Sequence, residues 1–466
     1  AHVKAQAYQR HALVASSWKA TEKAEETRLL GRLDELRGTE ATWTSADGNV
    51  NAELSESWRS ASTIADDLPE DVRNDLAKQW LQHNMSVVGQ DLQELIRLRN
   101  RVAKRAGYPN YWELALAGQG LTPAEVEQLV NDLTKVVSPI SRRIEERIAI
   151  DAAGKEVTNS FSNRFKIRRS LGMEAARDKA DNYFDTDLAE ERVKQAFIDM
   201  AFKADGWDIY TGPRRYTRAG VYGFPIRPPD TIAIVMSRDQ RWTIWQYEAL
   251  AHEGGHAVWW QGVSGAPVES PPLWEPTAPW FEGFAQFFER LVYEPGFHSR
   301  YVPELPAELR ADLAQWRARR TAEGLVNDIV RTQVERKLYE DPNSLEAITR
   351  FAGETRAALT GAPPPPTLKS GITYDASLLS TILWTFPAYS QNYMFSTLTE
   401  AWMWEGVAGQ IDNPIGNPDV GPLIRSKLIR GEISETLSER LSALHPGDRT
   451  APLRRYLERA VNQEAP

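Results

Sequence analysis

Two histidines four residues apart, with a glutamate directly after the first, stand in Ala251-His252-Glu253-Gly254-Gly255-His256. The apolar residues around them (Trp242, Ile244, Trp245, Tyr247, Leu250, Ala257, Val258, Trp260) recur at helical spacing. On a helix, positions i and i+4 share a face, so His252 and His256 can turn both imidazoles toward one ion. Neutral imidazole suits Zn2+ at about 2.0–2.1 Å. Glu253 is rotated about 100° from His252 around the helix axis. It is poorly placed as a ligand, but it can reach a water held on the metal, whose pKa zinc lowers toward about 7. The spacing predicts metal-assisted hydrolysis with one Zn2+ per chain, His252 and His256 as ligands and Glu253 as general base. An ordinary helix with two core histidines is the alternative, yet with only 7 His in the chain chance pairing in this pattern is rare. The adjacent glycines each cost about 1 kcal/mol relative to Ala. They call for a close approach, by substrate or by a neighbouring backbone.

A catalytic zinc site needs a third protein ligand and an open fourth position. With no Cys in the chain, His, Asp and Glu must supply it. Glu269, Glu275 and Glu282 are the downstream candidates. Glu275 follows His256 after 18 residues (257–274), in the rigid loop Pro271-Pro272-Leu273-Trp274-Glu275-Pro276. Glu282 follows after 25 residues (257–281), on the aromatic helix pattern Trp280-Phe281-Glu282-Gly283-Phe284-Ala285-Gln286-Phe287-Phe288-Glu289. An acid on an apolar helix face is costly unless a metal or cation satisfies it. Glu282 is therefore the expected ligand and Glu275 the alternative. Gln286 and Glu289 lie one and two turns beyond Glu282, on its face, and could orient a ligand His; a surface or capping role suits them equally.

These residues need a scaffold, and the composition supplies one. The 466 residues carry 55 Lys+Arg against 64 Asp+Glu, a net charge of −9, which lacks the basic excess of a nucleic-acid binder. Trp (16), Tyr (15) and Phe (14) provide enough apolar surface to exclude disorder. The absence of Cys rules out a disulfide scaffold, an iron–sulfur site and thiol catalysis, and suits an exported protein, periplasmic or secreted, over a cytoplasmic one. Ala1-His2-Val3-Lys4 does not read as a signal peptide. The segment Ala376 to Thr399 has no charge, but its Ser, Thr, Gln and Asn residues and Pro387 argue against a membrane span. It reads as a helix buried in protein and lining an internal cavity.

Most of the chain has helical periodicity. One helix is expected from Leu68 to Arg105, stopping at Gly107. The next opens with the capping box Thr122-Pro123-Ala124-Glu125 and runs to Pro139. Further runs span 187–203, 308–340, 344–359 and 448–463. Strand signals are confined to Thr231–Met236 and Gly220–Phe224, which suggests one small hairpin or ribbon. Pro363-Pro364-Pro365-Pro366 reads as a stiff spacer, and Arg164, Lys166, Arg168 and Arg169 as a solvated basic face.

His-Glu-Gly-Gly-His-Ala-Val-Trp-Trp followed by the Trp-Phe-Glu-Gly-Phe-Ala helix resembles the all-helical gluzincin peptidases, the angiotensin-converting-enzyme family and its thimet-type oligopeptidase relatives. Leu95 to Ala103 with Gly107 to Trp112 is similar to a segment in their N-terminal half. Pro387-Ala388-Tyr389-Ser390-Gln391-Asn392-Tyr393 resembles their tyrosine-bearing helix. The resemblance implies a mainly α, elongated zinc-peptidase fold with a deep central channel and a small β-ribbon beside the active-site helix. It implies one peptidase unit over 1–466, with an N-terminal helical subdomain (1–160) and a catalytic subdomain (161–466) holding the zinc, ligand and tyrosine helices. Those relatives use a Tyr to hydrogen-bond the developing oxyanion; Tyr389 and Tyr393, four apart, are the candidates, and the Asn-Tyr context favours Tyr393. They also carry a His shortly upstream, where this chain has Ile382 and Leu383, with no His between His298 and His445. Substrate in the relatives lies along a short strand before the zinc helix, which would make Tyr222 and Gly223 substrate-binding residues.

The implied function is zinc-dependent hydrolysis of short peptides, as an oligopeptidase or peptidyl-dipeptidase, with no nucleic-acid partner and no membrane span. Two alternatives stay open. One is a peptide-binding relative that keeps the metal without turnover. The other is an aminopeptidase-type gluzincin with Glu275 as third ligand, although that type's Gly-x-Met-x-Asn segment is absent here.

Overall fold

A computed structural model describes residues 12–37, 41–54, 69–152, 175–213, 221–227, 230–238, 243–262, 278–362, 375–380, 382–429 and 447–461. Helix dominates, as the amphipathic patterns require. Helix α1 (Ala20–Arg37) is followed by a short antiparallel pair, β1 (Thr42–Thr44) and β2 (Asn51–Glu53), then by α2 (Glu70–Arg105), α3 (Tyr111–Gln119) and α4 (Pro123–Ala152). Next come α5 (Ala189–Asp199), β3 (Trp207–Pro213), β4 (Val221–Arg227), β5 (Thr231–Arg238), α6 (Thr243–Gly262) and α7 (Ala278–Leu291). The remainder holds α8 (Pro295–Tyr301), α9 (Ala307–Glu340), α10 (Leu345–Thr360), α11 (Ser390–Ala408) and α12 (Ala451–Glu458).

The local rules act where the sequence places them. Gly107, at φ +88°, follows the end of α2. The capping box forms: Glu125 N–H donates to Thr122 Oγ1 at 3.2 Å, and Thr122 N–H donates to Glu125 Oε2 at 2.8 Å. The expected stop at Pro139 is corrected, because α4 continues through it to Ala152. A mid-helix Pro costs about 3 kcal/mol. Buried Ile140, Ile144 and Ile148 extend the apolar stripe beyond it, each contributing about 1.5–3 kcal/mol, which outweighs that cost.

The chain forms two compact units, interleaved along the sequence. One unit takes its described residues from Gln9–Met173 and Glu323–Gln391. Within it Arg99, 1% exposed, donates to Glu26 at 2.8 Å, to the Tyr339 hydroxyl at 3.1 Å and to the Trp384 carbonyl at 2.7 Å. The other draws on Glu174–Ala322 and Asn392–Pro466 and contains α5 to α8, the larger sheet and most of α11.

That sheet has the order β3-β5-β4. β4 and β5 match the two expected strands and pair antiparallel, with Gly223 opposite Ile234. The expected ribbon lacks β3, which pairs parallel to β5 with Trp207 opposite Ile232. The Trp207-Asp208-Ile209-Tyr210 run is short and ends at Gly212-Pro213, so its pattern was too brief to read as a strand.

The uncharged segment is also broken. A 3-10 turn (Ala376–Leu379) and a short helix (Ile382–Thr385) precede α11, which begins at Ser390. Tyr389 lies ahead of that helix, so although it is four residues from Tyr393 it does not share a helical face with it. The hydroxyls of Ser396, Thr397 and Thr399 donate to carbonyls of their own helix one turn back. Among the described residues no helix is long and apolar enough to cross a membrane. The prolines 363–366 and the basic run 164–169 lie outside the described residues.

Candidate active site

Helix α6 is buried along nearly its whole length, and its two glycines explain how. A Cβ on Gly255 would stand 2.7 Å from the Cα of Ala285, so α7 lies directly on α6 there. A Cβ on Gly254 would meet Trp207 at 2.6 Å and Phe197 at 2.8 Å. The close approach expected at these glycines is therefore made by a neighbouring backbone on one side and by aromatic rings on the other.

This packing brings His252, His256 and Glu282 together, with one ligand atom from each within 4.8 Å of the others. His252 Nε2 is 3.5 Å from Glu282 Oε2. Ligand atoms at about 2.0–2.2 Å from a tetrahedral zinc stand about 3.4 Å apart, so the spacing fits the edge of such a site. The His256 ring stacks on Phe281 at 3.9 Å between centroids. Burial pushes the His256 pKa down to about 3, with the nearby His252 adding to the effect. The imidazole is thus neutral, the form that ligates metal. His256 Nδ1 is buried and has no hydrogen-bond partner among the described residues.

His252 is oriented from α7. Its Nδ1 lies 3.0 Å from Glu289 Oε2; a carboxylate accepts, so Nδ1 donates, and once the ring gives up its second proton the lone pair sits on Nε2. Burial opposes a charge on this ring, but the Glu282 and Glu289 carboxylates hold its pKa well above the usual value. The other oxygen of Glu289 receives Arg317 Nη2. Arg317 Nη1 reaches Glu248 Oε1 at 3.3 Å, and the Tyr293 hydroxyl donates to Glu248 Oε2 at 2.5 Å. Against the effect of burial, Arg317 and His252 keep the Glu289 carboxyl below the carboxylate range. Burial and the charge of Glu289 raise that of Glu248. Glu248, Tyr293 and Arg317 escaped the sequence reading. Glu248 precedes His252 by one helical turn, which is the signal that could have found it.

Glu253, 8% exposed, points toward β4. Burial pushes its carboxyl up to about 7, opposed by His252 and by a hydrogen bond from the Gly223 amide. Gln286, expected to orient a ligand His, has a buried Oε1 without a hydrogen-bond partner among the described residues. Tyr393 is half-buried on α11, and Tyr222 pairs through its backbone with Val235. Glu269 and Glu275 lie outside the described residues.

No family model matches the chain, and no curated protein matches it in sequence. Solved structures do match its fold. An M32 carboxypeptidase from Deinococcus radiodurans R1 aligns with 97% of this chain and 83% of its own, at TM-score 0.62 and 13% identity. Trypanosoma cruzi metallocarboxypeptidase 1 aligns with 86% of this chain and 79% of its own, at 0.59 and 14%. PZ peptidase A aligns with 97% and 78%, at 0.61 and 13%. At such identities the likeness shows a shared, mainly α-helical fold.

Proposed function

We propose that the chain is a zinc-dependent peptidase acting on short peptides, with His252, His256 and Glu282 as metal ligands and Glu253 as general base. The observation that carries this reading is the 3.5 Å separation of His252 Nε2 and Glu282 Oε2, with His256 alongside and Glu253 next in sequence. The fold shared with structures named as peptidases supports it.

When bound, zinc supplies a Lewis acid for the peptide carbonyl and for the attacking water. Glu253 accepts the proton of that water as the new C–O bond forms, then gives it to the amine nitrogen as the C–N bond breaks. A base whose pKa stands near 7 suits both transfers. Glu289 keeps the His252 ring turned so that Nε2 faces Glu282. Tyr393 is the proposed donor to the oxyanion. A Cβ on Gly283 would lie 2.6 Å from Thr399 Cβ and 2.9 Å from the Ser396 carbonyl, so α11 rests on the Glu282 helix about one turn from Tyr393. Tyr389, outside α11, is the second candidate.

Metal analysis with a fluorogenic peptide set tests the reading. One zinc per chain is expected, with Glu253→Gln retaining it and losing about 10²–10⁴-fold in rate. Glu282→Ala should lower the zinc content. Equal cleavage by wild type and Glu253→Gln would end the proposal. Product masses from the same reactions distinguish trimming at the C-terminus from internal cutting.

A further inference from the structure

We infer that Gly223 is a positioning residue for Glu253: its backbone amide anchors the carboxylate, and its missing side chain is what allows the carboxylate to sit there. The inference rests on Glu253 being the base. The Gly223 N–H donates a hydrogen bond to Glu253. A Cβ at position 223 would lie 2.9 Å from Glu253 Oε2, 3.1 Å from Trp260 Cζ3 and 3.3 Å from Trp260 Cη2. Trp260 is buried, so the ring has little room to retreat. Any side chain here must therefore displace the carboxylate. An amide held on one oxygen leaves the other free to take a proton from water, and it freezes a side chain that otherwise has three rotatable bonds.

The same geometry changes what the strand offers a peptide. Backbone groups of residues i and i+2 face the same side of a strand. On the side of Gly223, its own N–H is committed to Glu253, and Pro225 has no N–H. The stretch Gly223–Pro225 thus presents carbonyl acceptors without a free donor on that side. Gly223 acts on the base through its amide, and a peptide lying there must donate its own N–H groups.

The test compares Gly223→Ala, Glu253→Asp and the double variant, with zinc content, kcat and KM measured for each. Gly223→Ala should keep its zinc, hold KM within about 3-fold and lose about 30–100-fold in kcat, the scale of an ångström-sized misplacement. Asp is shorter by one methylene and makes room for the Cβ, so the loss from Gly223→Ala should shrink at least about 5-fold in the Asp background. An unchanged kcat, a raised KM at full kcat, or an equal loss in both backgrounds overturns the inference. If Gly223→Ala alone fails to fold, the same substitution in Trp260→Leu leaves only the Glu253 contact. A kcat about 30-fold below Trp260→Leu then supports the inference, and an equal kcat defeats it. A fully active Glu253→Gln would instead defeat the peptidase reading itself.

Discussion

Glu289 Oε2 stands 3.0 Å from His252 Nδ1 while the other oxygen of the same carboxylate receives Arg317, so one side chain links the His252 imidazole to a buried guanidinium. Arg317 in turn reaches Glu248, one turn before His252 on α6. Helix α6 is therefore tied to α7 through charge as well as through packing. Removing such an outer partner typically costs about 10–100-fold in metal affinity. Glu289→Ala should weaken zinc binding by that factor in a chelator competition while the chain remains folded. Arg317→Ala should act mainly on stability, since it strands Glu248 and Glu289 as buried acids; removing one partner of a buried pair costs about 3–5 kcal/mol. Unchanged zinc affinity in Glu289→Ala would show that His252 is held by packing alone.

Gly255 sets how closely α6 and α7 approach. A Cβ there meets the Cα of Ala285, a backbone atom that can move only with its whole helix. Gly255→Ala should separate α6 from α7, destabilise by about 1–3 kcal/mol as overpacking does, and widen the His256–Glu282 spacing. The expected signature is a lower melting temperature together with reduced zinc content. Full zinc occupancy at normal stability would mean that the helices can part without disturbing the site.

The site was legible where its chemistry follows helical spacing. His252, Glu253 and His256 fall on one helix, and Glu282 with Glu289 on another at i and i+7, so periodicity predicted each pair before any packing was known. Arg317 was not legible, because it meets Glu289 across 28 residues and Glu248 across 69, and no local pattern links them. The helix runs through Pro139 because tertiary burial of Ile140, Ile144 and Ile148 overrides a local stop signal, and β3 is not legible because its run is too short to show a strand period. In the sequence Gly223 reads as a residue of a substrate-binding strand, not as a neighbour of Glu253. Its proximity to Glu253 depends on how β4 lies against α6.

Tyr393 and Tyr389 separate cleanly under single substitutions. Loss of one donor to an oxyanion costs about 10²–10³-fold in kcat. Tyr393→Phe removes only the hydroxyl and should show that loss with KM little changed, whereas Tyr389→Phe should retain most activity. The reverse order in a steady-state assay would transfer the role to Tyr389, and small losses in both would leave the oxyanion to other donors.

Glu335 gives the fold a pH dependence that is independent of zinc. Its carboxyl is fully buried, accepts the Ala388 N–H at 2.5 Å, and is pushed up to about 8 by burial, against the pull of the Ala388 amide and Arg99. The folded pKa lies above the ordinary glutamate value of 4.5, so the native chain holds a proton that the unfolded chain releases between the two values. Stability from this group is complete below the unfolded pKa and is lost as pH rises toward 8. Glu400, raised to about 7, and Asp328, raised to about 6, act in the same direction. His256, lowered to about 3, works the other way, but only below the ordinary histidine value of 6.5. From pH 6.5 to 8.5 the melting temperature should therefore fall, and Glu335→Gln, which keeps a neutral acceptor, should flatten the decline. At about 1.36 kcal/mol per pKa unit the effect amounts to a few kcal/mol. Parallel melting curves for wild type and Glu335→Gln across that range would show that Glu335 is already ionised in the folded chain.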